Sequence, residues 1–314
     1  MKKAMITGCG GFIGSHIADF LLTKNMDIYG IVYEKKSVNI AHLKNKIKTM
    51  NLDMKNKKMV EEIVNKIKPD YVFHMAAQSF VIPSWKDPEE TFVSNILGTF
   101  YLLDAIRKAK INPIIIIACS SAEYGLTQKD EIPINEKKEF RPSSPYAVSK
   151  VGTDMLAYLY WQAYQMKIIR IRYFNITGTR KTFDACSDFA KRIVEIEKGK
   201  QTALNVGNLE GIRDITDVRD AIKATWLLTE KGNFGDVYNI CSSKSYKIKD
   251  ILNTLISLSN KKIVVKKDKN KLRILDDPIF IGDNSKIKKL GWKPEIPLEK
   301  TLCDILDYWR KTIK

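Results

Sequence analysis

Residues 4–33 read AMITGCGGFIGSHIADFLLTKNMDIYGIVY. A short apolar run (AMIT) meets a glycine-rich turn (GCGGFIG). An amphipathic stretch (SHIADFLLTKN) follows, and a second apolar run (DIYGIVY) closes the unit. Strand, glycine turn, helix and strand within about 30 residues is the context in which a glycine triplet signals dinucleotide binding. Gly8, Gly11 and Gly14 supply that triplet as G-x-x-G-x-x-G. Glycine there permits a tight turn, close backbone approach to a pyrophosphate, and tight packing of helix on strand. The start of the helix that follows offers unpaired N–H groups and partial positive charge to the anion.

The same alternation continues outward. MVEEIVNKI reads as a helix, DYVFHMAA as a strand, TFVSNILGTFYLLDAIRKA as a long helix, and IIIIACS as a strand buried on both faces. SPYAVSKVGTDMLAYLYWQAY, with Ser and Pro at its start, reads as a helix, and MKIIRIRYFNI as the next strand. Alternating strands and helices imply an α/β fold with a doubly wound parallel sheet. Past Asn175 the texture changes to turns, short strands and amphipathic helices, the last carrying Trp309. We expect a dinucleotide domain over 1–175 and a mainly substrate-binding region over 176–314, with VYNIC (237–241) returning to the first sheet.

At 314 residues, 44% hydrophobic, the chain can bury a substantial core. Its net charge of +17 comes from 53 basic and 36 acidic residues. Lysines scattered over nearly every polar stretch suit a solvated surface better than a nucleic-acid face, so no nucleic-acid partner is expected. Five cysteines without a CxxC pair indicate neither disulfides nor zinc, and His16, His42 and His74 lack metal-ligand spacing. No metal is expected. No apolar run approaches the roughly 20 residues of a membrane helix, and the N-terminus enters a strand at once, so no membrane contact and a cytoplasmic location are expected.

Tyr146 and Lys150 lie one helical turn apart, on one face. A nearby cation favours the phenolate and lets a tyrosine act as acid or base. Ser120 ends the isoleucine-rich strand, where an open α/β sheet places its ligands. These three are the expected catalytic set. The end of the second strand, Tyr33-Glu34-Lys35-Lys36, is equivocal. Glu34 suits a ribose hydroxyl and either lysine a phosphate; NAD is expected, with NADP left open.

With these residues in hand, the chain resembles, along essentially its whole length, the extended short-chain dehydrogenases/reductases that modify nucleotide sugars. HMAAQS, SWKDPEETFVSNILGT, SSAEYG, SPYAVSK, RYFN, VGNLEGIRDITDVRDA and DDPIFIGD carry the resemblance. The branch it is most similar to holds the GDP-mannose 4,6-dehydratases and GDP-4-keto-6-deoxymannose reductases. The resemblance implies a Rossmann-type sheet with a smaller, interleaved C-terminal α/β region. It implies cofactor contacts at Gly8, Gly11, Phe12, Ile13, Gly14, Asp53, Met54, Ala76, Ala77, Gln78, Tyr146 and Lys150. Substrate contacts are implied at Ser79, Ser121, Asn175, Val206, Arg213, Arg273 and Asp276, with a GDP-sugar as substrate. A homodimer through a four-helix bundle is also implied, on helices carrying Phe92, Phe100, Tyr101, Met155, Tyr158, Leu159 and Trp161.

One departure matters. Where the dehydratases place a catalytic Glu in the motif matched by SSAEYG, this chain has Ala122, with Glu123 displaced by one. Eliminating water from a 4-keto sugar needs an acid/base, and in an extended segment Glu123 faces the wrong way. Hydride exchange at carbon 4 of a nucleotide sugar is therefore expected over dehydration. A 4-epimerase is the enzymatic alternative, and a non-catalytic nucleotide-binding regulator the last.

Overall fold

The computed structural model describes residues 1–33, 37–268 and 278–314. Its first half alternates β1 (Lys3–Thr7), α1 (Phe12–Leu22), β2 (Asp27–Val32), β3 (Lys48–Asn51), α2 (Lys57–Ile67) and β4 (Tyr71–His74). A short α3 (Val81–Lys86) leads into α4 (Pro88–Phe92) and α5 (Gly98–Lys108), joined by a π turn over Val93–Leu97. Then come β5 (Ile114–Ser120), α6 (Pro145–Tyr164) and β6 (Ile168–Tyr173). Ser144 caps α6 by accepting from the Ala147 N–H at 3.1 Å, and Pro145 occupies its first turn.

Among the described residues the main sheet has seven parallel strands in the order β3-β2-β1-β4-β5-β6-β11, where β11 is Val237–Ile240. Strand β11 pairs in parallel with β6 at the edge of this sheet. The sheet order reverses between β1 and β4, the crevice where open α/β sheets bind ligands. Both faces are covered: α1 and α8 (Val218–Lys231) pack on one, and α2, α5 and α6 on the other. That double cover explains the uninterrupted isoleucines of β5, of which Ile115, Ile116 and Ile117 are wholly buried.

The chain after β6 adds β7 (Asn175–Thr177), α7 (Ala185–Glu197), β8 (Leu204–Val206), β9 (Ile212–Arg213) and β10 (Ile215–Asp217) ahead of α8. After β11 follow β12 (Tyr246–Lys247), α9 (Ile248–Ser257), β13 (Val265–Lys267), β14 (Ile279–Phe280), α10 (Ser285–Lys288) and α11 (Leu298–Thr312). Helices α7, α9 and α11 build a separate apolar cluster with Leu204, Val206 and Ile215, and the Trp309 indole donates to Ser187 at 3.0 Å. No described helix is long and apolar enough to cross a membrane.

Candidate active site

The glycine turn is shaped by what a side chain would strike. Gly8 sits at φ +67°, and a Cβ there would stand 2.8 Å from the Ala76 backbone; one on Gly14 would stand 2.3 Å from the Gly8 carbonyl. Gly11 is the N-cap of α1, offers no capping side chain, and no acid lies in the first turn. The first N–H groups of α1 thus face the crevice without intrahelical acceptors, a cradle that suits a diphosphate. Thr7, His74 and Thr99 brace it: Thr7 Oγ1 lies 2.7 Å from His74 Nδ1, and His74 Nε2 lies 3.0 Å from Thr99 Oγ1. Burial lowers the His74 pKa to about 3, so this relay is uncharged.

Phe12, Ile13, Ala76 and Ala77 are partly exposed around the turn, while Met54 is buried and packs where Gly98 leaves room. Asp53 holds the Lys55 N–H at 3.0 Å and keeps its carboxylate partly in solvent. Gln78 differs from expectation, because its side chain is spent locally. It donates to Phe80 O and Thr91 Oγ1 and accepts from Phe80 N at 2.6 Å. Glu34, Lys35 and Lys36 lie outside the described residues.

Ser120, Tyr146 and Lys150 converge where β5 ends beside the start of α6. Ser120 lies near enough to the Tyr146 phenol to lower its pKa, and its Oγ accepts the Ala122 N–H at 3.2 Å. Burial pushes the phenol up to about 12, opposed by Ser120 and reinforced by Glu123. Lys150 donates to the Ala118 carbonyl at 2.7 Å, and its burial lowers its pKa. Burial outweighs the opposing pull of Ser120, so the phenol is favoured over the phenolate.

Asn95 is a site feature that pattern reading missed. It lies in the π turn, wholly buried, accepts the Gln78 N–H at 2.7 Å, and donates to Gln78 O and Ser149 Oγ. A π turn inside a long helix often marks a functional position, but apolar periodicity alone shows only an unbroken helix.

Segment 121–124 is a 3-10 turn, not the extended strand expected. Glu123 is nonetheless turned away from the crevice. It accepts the Ser120 N–H at 2.7 Å and the Arg172 Nε at 3.1 Å. Arg172 also holds Asp154 on α6 at 3.0 Å, and Asp154 pairs with Arg170. Burial, then Asp154, hold the Glu123 carboxyl well above the usual carboxylate range despite Arg172. Cys119, Glu123 and Asp154 come close enough to share an ion, but Arg172 already engages both carboxylates. Cys9 is likewise buried, its thiol pushed up to about 12 chiefly by burial.

The expected substrate residues are less of a unit. Ser79 is exposed and Ser121 buried beside Ser120. Asn175 is exposed and donates to Asp214 O at 3.0 Å, and Arg213, two strands away, donates to Ile212 O at 2.9 Å. Val206 differs from expectation: its side chain, 1% exposed, belongs to the α7–α9–α11 core, and its carbonyl accepts the Asp268 N–H at 2.8 Å where β8 pairs with β13. Arg273 and Asp276 lie outside the described residues. The sequence pattern also overlooked Asp214, a buried carboxylate that gathers Ser242, Ser243 and Gly282 around this region.

A family model described as GDP-mannose 4,6 dehydratase matches residues 5–305. The chain belongs to that family. Similar relatives include GDP-6-deoxy-D-mannose reductase of Pseudomonas aeruginosa, 26% identical and covering 100% of this chain and 99% of the relative. GDP-mannose 4,6-dehydratase of Yersinia enterocolitica is 29% identical, covering 98% of this chain and 93% of the relative. Among solved structures, RMD from P. aeruginosa complexed with NADPH has a TM-score of 0.88 at 25% identity, with 100% of both chains covered. The Thermus thermophilus UDP-glucose 4-epimerase complex with NAD gives 0.88 at 26%, covering 99% and 100%. As a member of the GDP-mannose 4,6 dehydratase family, the chain is an enzyme of the nucleotide-sugar short-chain dehydrogenase/reductase class with its Rossmann-type fold.

Proposed function

We propose that the protein exchanges hydride with carbon 4 of a GDP-linked mannose-type sugar, as a 4-keto reductase or 4-dehydrogenase. The observation that carries this reading is the convergence of Ser120 and Tyr146 at the end of β5, while the neighbouring carboxylate of Glu123 is held by Arg172. A bound nicotinamide dinucleotide supplies or accepts the hydride; relatives bind NADPH or NAD, and NAD is our first assignment. Ser120 and Tyr146 grip the oxygen on carbon 4, and Tyr146 donates its proton as the keto oxygen gains charge. Lys150 holds the helix start against β5. Asn175 and Arg213 meet the diphosphate and nucleotide from the region after 175. Ala122 leaves no acid/base for elimination.

Incubation with GDP- and UDP-sugars, following 340 nm absorbance and product mass, tests the reading. Net cofactor turnover without loss of water supports it. A product lighter by one water from GDP-mannose refutes it, and sugar inversion without cofactor turnover favours the epimerase, a reading kept because the Thermus epimerase shares this fold.

We also propose a twofold dimer through α4–α5 and α6. Leu97, Val148, Met155, Tyr158 and Leu159 are exposed there, Leu159 by 51%. Phe92, Phe100, Tyr101 and Trp161, expected on this face, are instead partly buried, and the last three pack on the sheet-side core. A monomer at micromolar concentration by ultracentrifugation overturns the dimer. The five cysteines are unpaired, as suits a reducing cytoplasm.

A further inference from the structure

A cavity of about 380 Å³ opens at the end of the main sheet opposite Ser120 and Tyr146. It lies where β1, β4, β5 and β6 begin, and β5 runs about 20 Å from there to Ser120. Lys2, Lys68 and Lys167 line it together with Asp70, Tyr71 and Asn112, and proline and isoleucine complete the walls. Lys2 precedes β1, Lys167 precedes β6, and Lys68 ends α2 in the left-handed conformation at φ +46°.

The sheet itself fixes this edge. The Asp70 carboxylate accepts the Lys3 N–H at 2.7 Å, and the Asp70 carbonyl accepts the Ile114 N–H at 3.0 Å. The Ile115 N–H donates to the Lys167 carbonyl at 2.8 Å. A concavity framed by main-chain hydrogen bonds needs no occupant to hold its shape. Its volume falls in the range of about 300–1,000 Å³ common to small-molecule sites.

The charges around it are unbalanced. Among the described residues none of the three lysines forms an ion pair, and the Lys2 ammonium reaches only the Tyr71 hydroxyl at 3.3 Å and the face of its ring. Asp70 is the only carboxylate in the lining, and it already serves a main-chain N–H. Asp27, which follows Lys2 in the sheet, gives its carboxylate to Lys48 at 2.8 Å. Like charges gathered without counter-charges repel, so an incoming anion lowers the energy of the arrangement.

We propose that this cavity binds a small phosphorylated organic molecule, its phosphate among Lys2, Lys68 and Lys167 and its carbon skeleton on the proline and isoleucine walls. A phosphate monoester carries about −1.5 to −2 charge at pH 7, which matches three ammonium groups set against one carboxylate. Lysine serves as a point-charge partner for phosphate, and the Asn112 amide and Tyr71 hydroxyl add uncharged donors. The site is separate from the glycine turn and from the carbon-4 chemistry, which lie at the far ends of the strands.

Calorimetric titration of the full chain with glucose 6-phosphate, inorganic phosphate and glucose tests this, in the absence and presence of NADH and GDP. A double variant, Lys68→Met with Lys167→Met, keeps both apolar stems and removes two charges. Glucose 6-phosphate should bind wild type saturably and the variant about ten-fold more weakly or worse, with melting temperatures within about 2 °C. Lys68→Met alone, at an exposed helix end, should lose about three-fold and carries the comparison if the double variant fails to fold. Glucose should not bind, and NADH with GDP should leave the ester's affinity unchanged. Affinity in the double variant within about two-fold of wild type overturns the proposal, as does no saturable binding up to about 5 mM. Competition by NADH or GDP moves the ester to the catalytic crevice and also overturns it. Inorganic phosphate bound as tightly as the ester removes the walls from recognition, and the organic ligand with them.

Discussion

Replacing Arg172 with Met should expose how the catalytic strand is tied to its helix. Glu123 and Asp154 have wholly buried side chains, and the Arg172 side chain between them is 4% exposed. Met keeps most of the apolar stem, so the loss is mainly of charge and hydrogen bonds. Asp154 retains Arg170, but Glu123 keeps only the Ser120 N–H among these contacts. Removing one partner of a buried pair costs about 3–5 kcal/mol. Glu123 escapes part of that cost by taking a proton. Its pKa already stands above the ordinary 4.5, and loss of the cation moves it further up. A carboxyl with a raised folded pKa binds more protons folded than unfolded, so stability falls as pH rises between the two values. The deficit of the variant should therefore be smallest near pH 4.5 and grow toward pH 8. Urea unfolding at several pH values measures it, and at about 2–4 °C per kcal/mol the melting temperature at pH 8 should drop by about 6–20 °C. A deficit below about 1 kcal/mol, or one equal at pH 5 and pH 8, would refute this account of the cluster.

Tyr146→Phe should lower turnover by about 100-fold or more while dinucleotide affinity stays near wild type, and near-normal turnover removes Tyr146 from the chemistry. With its phenol pushed up to about 12, the free enzyme should keep kcat/KM for a 4-keto sugar level through neutral pH. An acid-donor limb below pH 8 contradicts that. Gly14→Ala forces a Cβ to within 2.3 Å of the Gly8 carbonyl, and should cost about 1–3 kcal/mol in denaturant unfolding together with dinucleotide affinity. Arg213→Ala should weaken GDP-sugar binding by about ten-fold or more with NADH binding intact; equal loss of both places Arg213 in the fold or the cofactor site.

The order of elements, the doubly wound sheet and the glycine turn were legible in the sequence because each is local. Periods of 2 and 3.6, a Ser-Pro helix start, and glycines where a Cβ cannot fit need no knowledge of distant residues. Tyr146 and Lys150 were legible for the same reason, being one helical turn apart. What the chain does with its charges was settled only by tertiary packing. Lys150 turns to a β5 carbonyl, and burial is the largest influence on the Tyr146 phenol. Glu123 meets a strand and a helix that are 49 and 31 residues further along the chain, at Arg172 and Asp154, and no spacing rule links them. Val206 looked like a binding residue inside a motif, but the separate core of α7, α9 and α11 claims its side chain. The Phe80 and Phe183 rings, about a hundred residues apart, meet edge-on. Low-dielectric burial and long-range contact decide ionisation and access, and both exist only once the chain has closed on itself.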